Sequence, residues 1–224
     1  MPQYINTISD LSKSDAKEGN FKNPLLKTSN RIIKRTFDLV ISLLVCILTI
    51  PFLPIIAFLI KTQSHGPILF RQKRTGINGK AFECYKFRSM HLNSEPDTKQ
   101  ATANDPRIFA FGNFMRRTHI DEIPNFVNVI KGDMSIIGPR PHMLYHTQKY
   151  AKLIDHYMER HLCKPGITGY AQIMGLSGAT PELWQMEERV KHDIWYINHW
   201  SILLDLWILY HTMLIIFNKQ EIHK

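Results

Sequence analysis

The residues best suited to chemistry lie between positions 115 and 142, where two adjacent carboxylates, Asp121 and Glu122, follow two arginines, Arg116 and Arg117. A Gly138-Pro139-Arg140-Pro141 turn comes shortly after. Carboxylates set among arginines suit an anionic, phosphate-bearing substrate. Guanidinium forks bind phosphate oxygens in pairs. A carboxylate can attack as a nucleophile or share a hard divalent cation with a phosphate. An isolated Asp-Glu pair is more often two ordinary acids at a helix start. The arginines and the rigid turn favour the chemical reading.

These residues need elements to position them. The pattern predicts a helix over 125–131, with Phe126, Val127 and Ile130 apolar and Gly132 as its stop. Thr118 and Asp121 have the spacing of a capping box, and Pro124 is tolerated only near a first turn. Asp121 and Glu122 then lie at or near a helix N-terminus, whose dipole favours their ionised forms. Two strand-like runs around Asn78-Gly79 read as a β-hairpin, with Phe82, Cys84 and Lys86 in one row and Glu83, Tyr85 and Phe87 in the other. Lys86 and Arg88 could reach a phosphate from it, although basic hairpin residues usually form a solvated face. Residues 91–107 read as a surface loop. Residues 142–162 read as helix, with Leu144, Tyr145, Tyr150, Leu153, Ile154 and Tyr157 as its buried side. Lys164 to Tyr170 forms a turn-rich loop or connector. The histidines have no convincing metal spacing, and the three cysteines imply neither a zinc site nor a disulfide framework.

Residues 37–60 form a 24-residue stretch that is apolar except for Asp38, Ser42 and Thr49. A straight helix of that length would reach roughly 36 Å, enough to cross a bilayer. Pro51 and Pro54 predict a kink near Ile50, with Thr49 bonding back one turn to relieve the freed backbone. Both flanks are basic: Lys34 and Arg35 before, Lys61, Arg71, Lys73 and Arg74 after. Positive charge on both sides argues for a re-entrant hairpin, with a bent span as the alternative. Trp195 to Phe217 is aromatic and apolar and reads as an interfacial helix. Asp205 within it is a structural or site candidate. Residues 1–30 read as a flexible polar tail with no signal peptide, leaving 31–224 as one domain. The net charge of +9 implies an anionic partner.

Several ordered motifs together resemble the bacterial sugar transferase family, the monotopic polyprenyl-phosphate phosphoglycosyl transferases. They are Lys34-Arg35-Thr36-Phe37-Asp38, Gly66-Pro67 to Arg71-Gln72, Tyr85-Lys86-Phe87-Arg88-Ser89-Met90 and Asp121-Glu122-Ile123-Pro124. Lys131-Gly132-Asp133-Met134-Ser135, the Gly138–Pro141 turn and Lys164-Pro165-Gly166-Ile167-Thr168-Gly169 complete the series. The resemblance spans residues 31–217 and is closest to the family's short form. It implies a re-entrant segment in the bacterial inner membrane and an active site at the cytoplasmic face. It also implies Mg²⁺ as cofactor, and transfer of a sugar 1-phosphate from a UDP-sugar to undecaprenyl phosphate with release of UMP, initiating exopolysaccharide or another surface glycan. By resemblance Asp121 is the nucleophile and Glu122 completes the dyad, the two also serving as metal ligands. Arg116 and Arg140 match phosphate-binding positions, and Lys86, Arg88 and Asp205 match positions near the site. Ile50 where a small polar residue is common, an additional Pro54, and Lys164 where Arg is usual depart from the family pattern. The stretch after Pro141 is more similar to hexose-1-phosphate transferases, pointing to UDP-glucose or UDP-galactose.

The fold class expected is therefore α+β: a mainly helical, membrane-associated domain with a small β-hairpin, an N-terminal re-entrant membrane helix and interfacial amphipathic helices. A nucleic-acid-binding protein would account for the charge but not for residues 37–60. A non-catalytic membrane scaffold would account for the anchor but not for carboxylates among arginines.

Overall fold

The long apolar stretch folds with its polar residues inward. In the computed structural model, which describes residues 22–91, 105–178 and 180–221 (side chains of 218–221 excepted), helix α1 spans Thr28–Thr49. Its buried residues are Lys34, Asp38 and Ser42, spaced i, i+4, i+8 on one face. Val40, Leu43, Leu44, Ile47 and Leu48 are exposed. A soluble helix would show the reverse. A 3₁₀ turn at Ile50–Phe52 then leads into α2, Leu53–Gln63. The break falls where the two prolines remove backbone donors, and the Thr49 hydroxyl donates to the Val45 carbonyl at 2.6 Å.

The inward stripe ties α1 to everything behind it. Lys34 Nζ donates to Asp205 at 2.7 Å and to the Tyr196 hydroxyl at 3.2 Å. Asp38 accepts from the Ile136 N–H and the Ser135 hydroxyl, both at 3.0 Å. Arg35 donates to the carbonyls of Val129 and Ile130. The two basic residues before the apolar run are thus staples to the folded body, not free surface charges. The tail expected over 1–30 is corrected for its last part. Leu25 is buried in the main core and the Asn23 side chain caps the turn at Pro24–Leu26, so 22–30 belong to the fold; residues 1–21 lie outside the described residues.

The expected hairpin follows. Strands β1 (Leu69–Thr75) and β2 (Ala81–Phe87) pair antiparallel, and Asn78 and Gly79 take positive φ in the turn. Next come α3 (Ala110–Arg117), a 3₁₀ turn at Ile120–Glu122, α4 (Asn125–Lys131), β3 (Ser135–Ile137) and α5 (Leu144–Tyr150). The chain continues through β4 (Gly166–Thr168), α6 (Tyr170–Ile173), α7 (Leu183–Asn198) and α8 (Ile202–Glu221). Mostly helical, with two two-stranded sheets among the described residues, the domain matches the expected α+β class.

Four local expectations are corrected. The helix expected over 142–162 stops at Tyr150, and after a turn with His156 in the left-handed region a 3₁₀ segment holds Tyr157–His161. Tyr145 and Leu153 are consequently exposed. Thr118 ends α3, donating to the Phe114 carbonyl at 2.8 Å, and does not cap a following helix. The connector at 164–170 contains β4, which pairs parallel with β3; a Cβ on Gly166 would sit 2.1 Å from the Gly138 nitrogen. Finally, 195–217 is not one helix: α7 ends at Asn198, and Tyr196 and Trp200 are buried around Asp205. Trp195, Trp207 and Tyr210 are exposed. The loop expected over 91–107 falls largely on residues 92–104, outside the described residues.

Asp205 is fully buried and accepts from Lys34, Tyr196 and Trp200. Removing one partner of such a pair typically costs about 3–5 kcal/mol. Asp205→Ala should therefore lower the thermal unfolding midpoint of the detergent-solubilised protein markedly. Asp205→Asn, which keeps an acceptor for Tyr196 and Trp200, should lower it less.

Candidate active site

Three short segments place opposite charges around one cavity of about 460 Å³. Strand β2 supplies Lys86, α3 and the turn after it supply Arg116, Asp121 and Glu122, and the turn after β3 supplies Arg140. The reversal between Arg116 and Asp121 is made by His119, whose φ of 58° is left-handed. The pairing of β3 with β4 fixes the start of the Arg140 turn, since Gly138 N–H donates to the Thr168 carbonyl at 2.9 Å.

A buried asparagine sets the distance between the carboxylates and the hairpin. Asn128, fully buried in α4, accepts from the Tyr85 N–H at 3.0 Å and donates to the Glu83 carbonyl at 2.6 Å. It completes the free edge of β2 as a strand would, docking α4 there. Lys86, one residue on, then meets Glu122 at 2.5 Å. Arg140 Nη2 reaches the same Glu122 oxygen at 3.3 Å. Arg140 is itself held from behind, its carbonyl accepting from Arg160 Nη2 at 2.9 Å. Arg160 is in turn paired with Asp193 at 2.6 Å.

The two carboxylates are thereby made unlike. For Glu122, burial alone would raise the pKa, but Lys86 and Arg140 outweigh it and hold the carboxyl well below the usual range. For Asp121, burial wins: it pushes the carboxyl up, with Lys86 offsetting only part and the charge of Glu122 adding to the rise. The expectation that the helix dipole favours ionisation of both acids is thus corrected for Asp121. Its side chain is in a 3₁₀ turn ahead of a seven-residue helix, and desolvation dominates. Glu122 is committed to its cations, whereas the Asp121 carboxylate forms no hydrogen bond or ion pair within the described residues. Among those residues no three His, Cys, Asp or Glu side chains converge on a metal position. Asp121 and Glu122 nevertheless supply hard oxygen donors, the ligand type that suits Mg²⁺ when substrate phosphate and water complete its shell.

Of the residues singled out from sequence, Asp121, Glu122, Lys86, Arg116 and Arg140 come together. Arg88 borders the cavity, but its guanidinium donates to the Ser64 hydroxyl and to the Ser64 and His65 carbonyls, clamping the end of α2. Asp205 is not brought to the cavity and serves the ion pair with Lys34. Sequence reasoning missed the Arg160–Asp193 pair, His142 and Arg189. Thirty-three positions separate Arg160 from Asp193, and no local spacing marks that pair. His142 directly follows the Gly138–Pro141 turn, the one signal that could have drawn it in.

Residues 29–219, from the start of α1 to near the end of α8, match the family model described as bacterial sugar transferase. The chain belongs to the bacterial sugar transferase family. A UDP-glucose:undecaprenyl-phosphate glucose-1-phosphate transferase of Escherichia coli K12 is 48% identical over 185 residues, 82% of this chain and 40% of that protein. An undecaprenyl-phosphate galactose phosphotransferase of Salmonella typhimurium is 34% identical over 236 residues, 98% of this chain and 48% of that protein. The chain thus spans less than half of these two relatives. An exopolysaccharide production protein of Rhizobium leguminosarum, 41% identical over 187 residues, is matched over 94% of its length and 81% of this chain. The sugar transferase match takes in all five of the converging charged residues.

The unlike carboxylates give opposite pH signatures. With its pKa raised on folding, Asp121 favours the fold fully below the unfolded value and loses that contribution as pH rises through the folded one. Asp121→Asn should therefore raise the unfolding midpoint at pH 7, and the gain should vanish in acid. Glu122 has the opposite sign: its contribution is present above the unfolded value and lost as pH falls through the folded one. Glu122→Gln leaves Lys86 and Arg140 without their counter-charge and should destabilise at pH 7 by about 3–5 kcal/mol. Thermal melts of both variants across pH check the pair of signs.

Proposed function

We propose that this chain transfers a sugar 1-phosphate from a UDP-sugar, UDP-glucose or UDP-galactose, to undecaprenyl phosphate, releasing UMP and priming exopolysaccharide or another surface glycan. The observation that carries the reading is the buried Asp121 carboxylate, unpaired among the described residues, beside a Glu122 already neutralised by Lys86 and Arg140. The printed activities of the E. coli and Salmonella relatives supply the substrate class.

The chemistry follows from the residues. Asp121 attacks the β-phosphorus; a carboxylate-oxygen–phosphorus bond forms, the bond to the bridging oxygen breaks, and UMP leaves with that electron pair. Burial raises the basicity of Asp121 and with it its strength as a nucleophile. An oxygen of the lipid phosphate then attacks the same phosphorus and expels the Asp121 carboxylate. Arg116 and Arg140 offer guanidinium donors to phosphate oxygens at the stages where anions approach one another. Glu122 keeps Lys86 and Arg140 in place between turnovers. Mg²⁺, held through Asp121 or Glu122 oxygens, would supply further neutralisation of phosphate charge.

The lipid acceptor accounts for the anchor. The start of α1 is tied to β3, α4 and α8, while Ile56 and Ile60 of α2 pack with Phe87, Phe109 and Met115 of the same body. Between them, residues 50–55 are all exposed, and Ile50, Phe52, Leu53 and Ile55 make this tip apolar. Two anchored ends and a bare apolar tip support a re-entrant segment dipping into one leaflet, with the site on the cytoplasmic face of the inner membrane. Single cysteines at positions 30 and 66 should both be labelled by an impermeant thiol reagent only from the cytoplasmic side. Labelling of either from the periplasm would leave a bent span instead.

The reaction is tested by trapping. Given UDP-sugar and Mg²⁺ without lipid, the protein should release up to about one equivalent of UMP and gain the mass of a phospho-sugar at Asp121. Removal of Mg²⁺ by EDTA should abolish the burst, and Asp121→Asn should show neither UMP nor adduct. UMP release only when both substrates are present would replace the two-step route with direct transfer in a ternary complex.

A further inference from the structure

A second group of polar side chains lines the same cavity: His142, just past the Gly138–Pro141 turn, and Arg189, from α7. Both are deeply buried, at 7% and 4% exposure. The tautomer of His142 is fixed by its neighbours. Its Nδ1 lies 2.9 Å from Arg160 Nη1 and 2.6 Å from the Tyr157 hydroxyl. A guanidinium has no acceptor, so Nδ1 must carry the lone pair and Nε2 the proton. Burial, then the charges of Arg160 and Arg189, push the pKa of His142 well below the imidazole range, so the ring is neutral.

The other half of this arrangement is unfinished. The His142 Nε2–H has no hydrogen-bond partner among the described residues. Neither has the Nε–H of Arg189, whose Nη2 is anchored on the Gly178 carbonyl at 2.6 Å. Buried donors without acceptors are costly, and their persistence in a cavity wall points to a ligand that supplies the acceptors. Two N–H donors match oxygens that accept without demanding an acceptor in return from the same groups. A sugar hydroxyl does so, with its own hydrogen free to turn elsewhere. A uracil edge does so poorly, because N3–H lies between its two carbonyls and would face the donors.

We propose that His142 and Arg189 form the hexose subsite, donating Nε2–H and Nε–H to hydroxyl oxygens of the donor sugar and thereby selecting among hexoses. The proposal rests on the nucleotide-sugar reading above. Arg160 acts behind it as a positioning residue, since it holds both the His142 ring and the Arg140 carbonyl.

Titration calorimetry on the full chain in detergent tests this, in an Asp121→Asn background so that no turnover intervenes. The ligands are UDP-glucose, UDP-galactose and UDP, the last sharing the uridine and both phosphates but lacking the sugar. His142→Asn keeps an acceptor for Arg160 where Nδ1 stood and deletes the outer N–H; His142→Gln restores an N–H at that reach. Arg189→Lys keeps the charge and deletes Nε–H. With unfolding midpoints unchanged, His142→Asn and Arg189→Lys should each weaken the preferred UDP-sugar by about three- to tenfold. The preference between the two UDP-sugars should shrink, UDP should change by less than about twofold, and His142→Gln should recover part of the loss. Equal weakening of UDP and UDP-sugar would reassign the donors to uridine or phosphate and overturn the proposal, as would no change in any ligand. Intact UDP-sugar binding without UMP release by the protein carrying Asp121 would instead refute the proposed reaction and leave the subsite standing.

Discussion

The constraint on which the rest of the structure depends is that a helix bare of protein along its apolar side must still be anchored. Helix α1 meets it with one polar stripe. Lys34 reaches the buried Asp205, Asp38 caps the start of β3, and Arg35 closes the C-terminal carbonyls of α4. Two of these partners adjoin the site: β3 leads into the Arg140 turn, and α4 begins just after Asp121 and Glu122. The segments that carry the candidate site are hung from the polar face of that helix. Ion pairs of this kind are poor sources of net stability but strong sources of register, because a displaced partner leaves a buried charge uncompensated.

Within the site, charge is arranged unequally. Glu122 pairs with Lys86 and Arg140 through one oxygen, which holds those two cations together. Asp121 is left buried and without a hydrogen-bond or ion-pair partner among the described residues, and that burial disfavours its charged form. The neighbouring residues, chemically almost the same, acquire different work solely from what surrounds each. Behind them the buried Arg160–Asp193 pair stiffens a layer that touches Arg140 and His142 together. A change in that layer therefore reaches Arg140 and His142 at once.

Much of this was legible from residue order. The helix at Asn125–Lys131 with its Gly132 stop, the hairpin turning at Asn78-Gly79, and the break after Thr49 all rest on local backbone preferences, which act over a few residues. The five converging charged residues were legible because motif and chemistry pointed the same way. What sequence hid was long-range. Asp205 looked like a site residue because an acid in an apolar helix demands a partner, and nothing local revealed that the partner is Lys34. Arg88 looked like a phosphate ligand because its pairing with the Ser64 and His65 carbonyls depends on how α2 ends. The ionisation of Asp121 was misjudged because a dipole can be read from sequence and desolvation cannot.

The stripe on α1 also restricts how the anchor can change in length. Lys34, Asp38 and Ser42 fix the rotation of the helix about its axis, and Ile56 and Ile60 beyond the turn must still meet Phe87 and Met115. One residue inserted between Ser42 and Ile50 would swing everything after it by about 100°, carrying α2 off its seat. Two full turns, about seven residues, nearly restore the heading. In the re-entrant arrangement proposed above, the reach of the tip changes only by matched insertions in both limbs, in coarse steps of roughly 10 Å, so finer adaptation to bilayer thickness would come from the side chains at the tip.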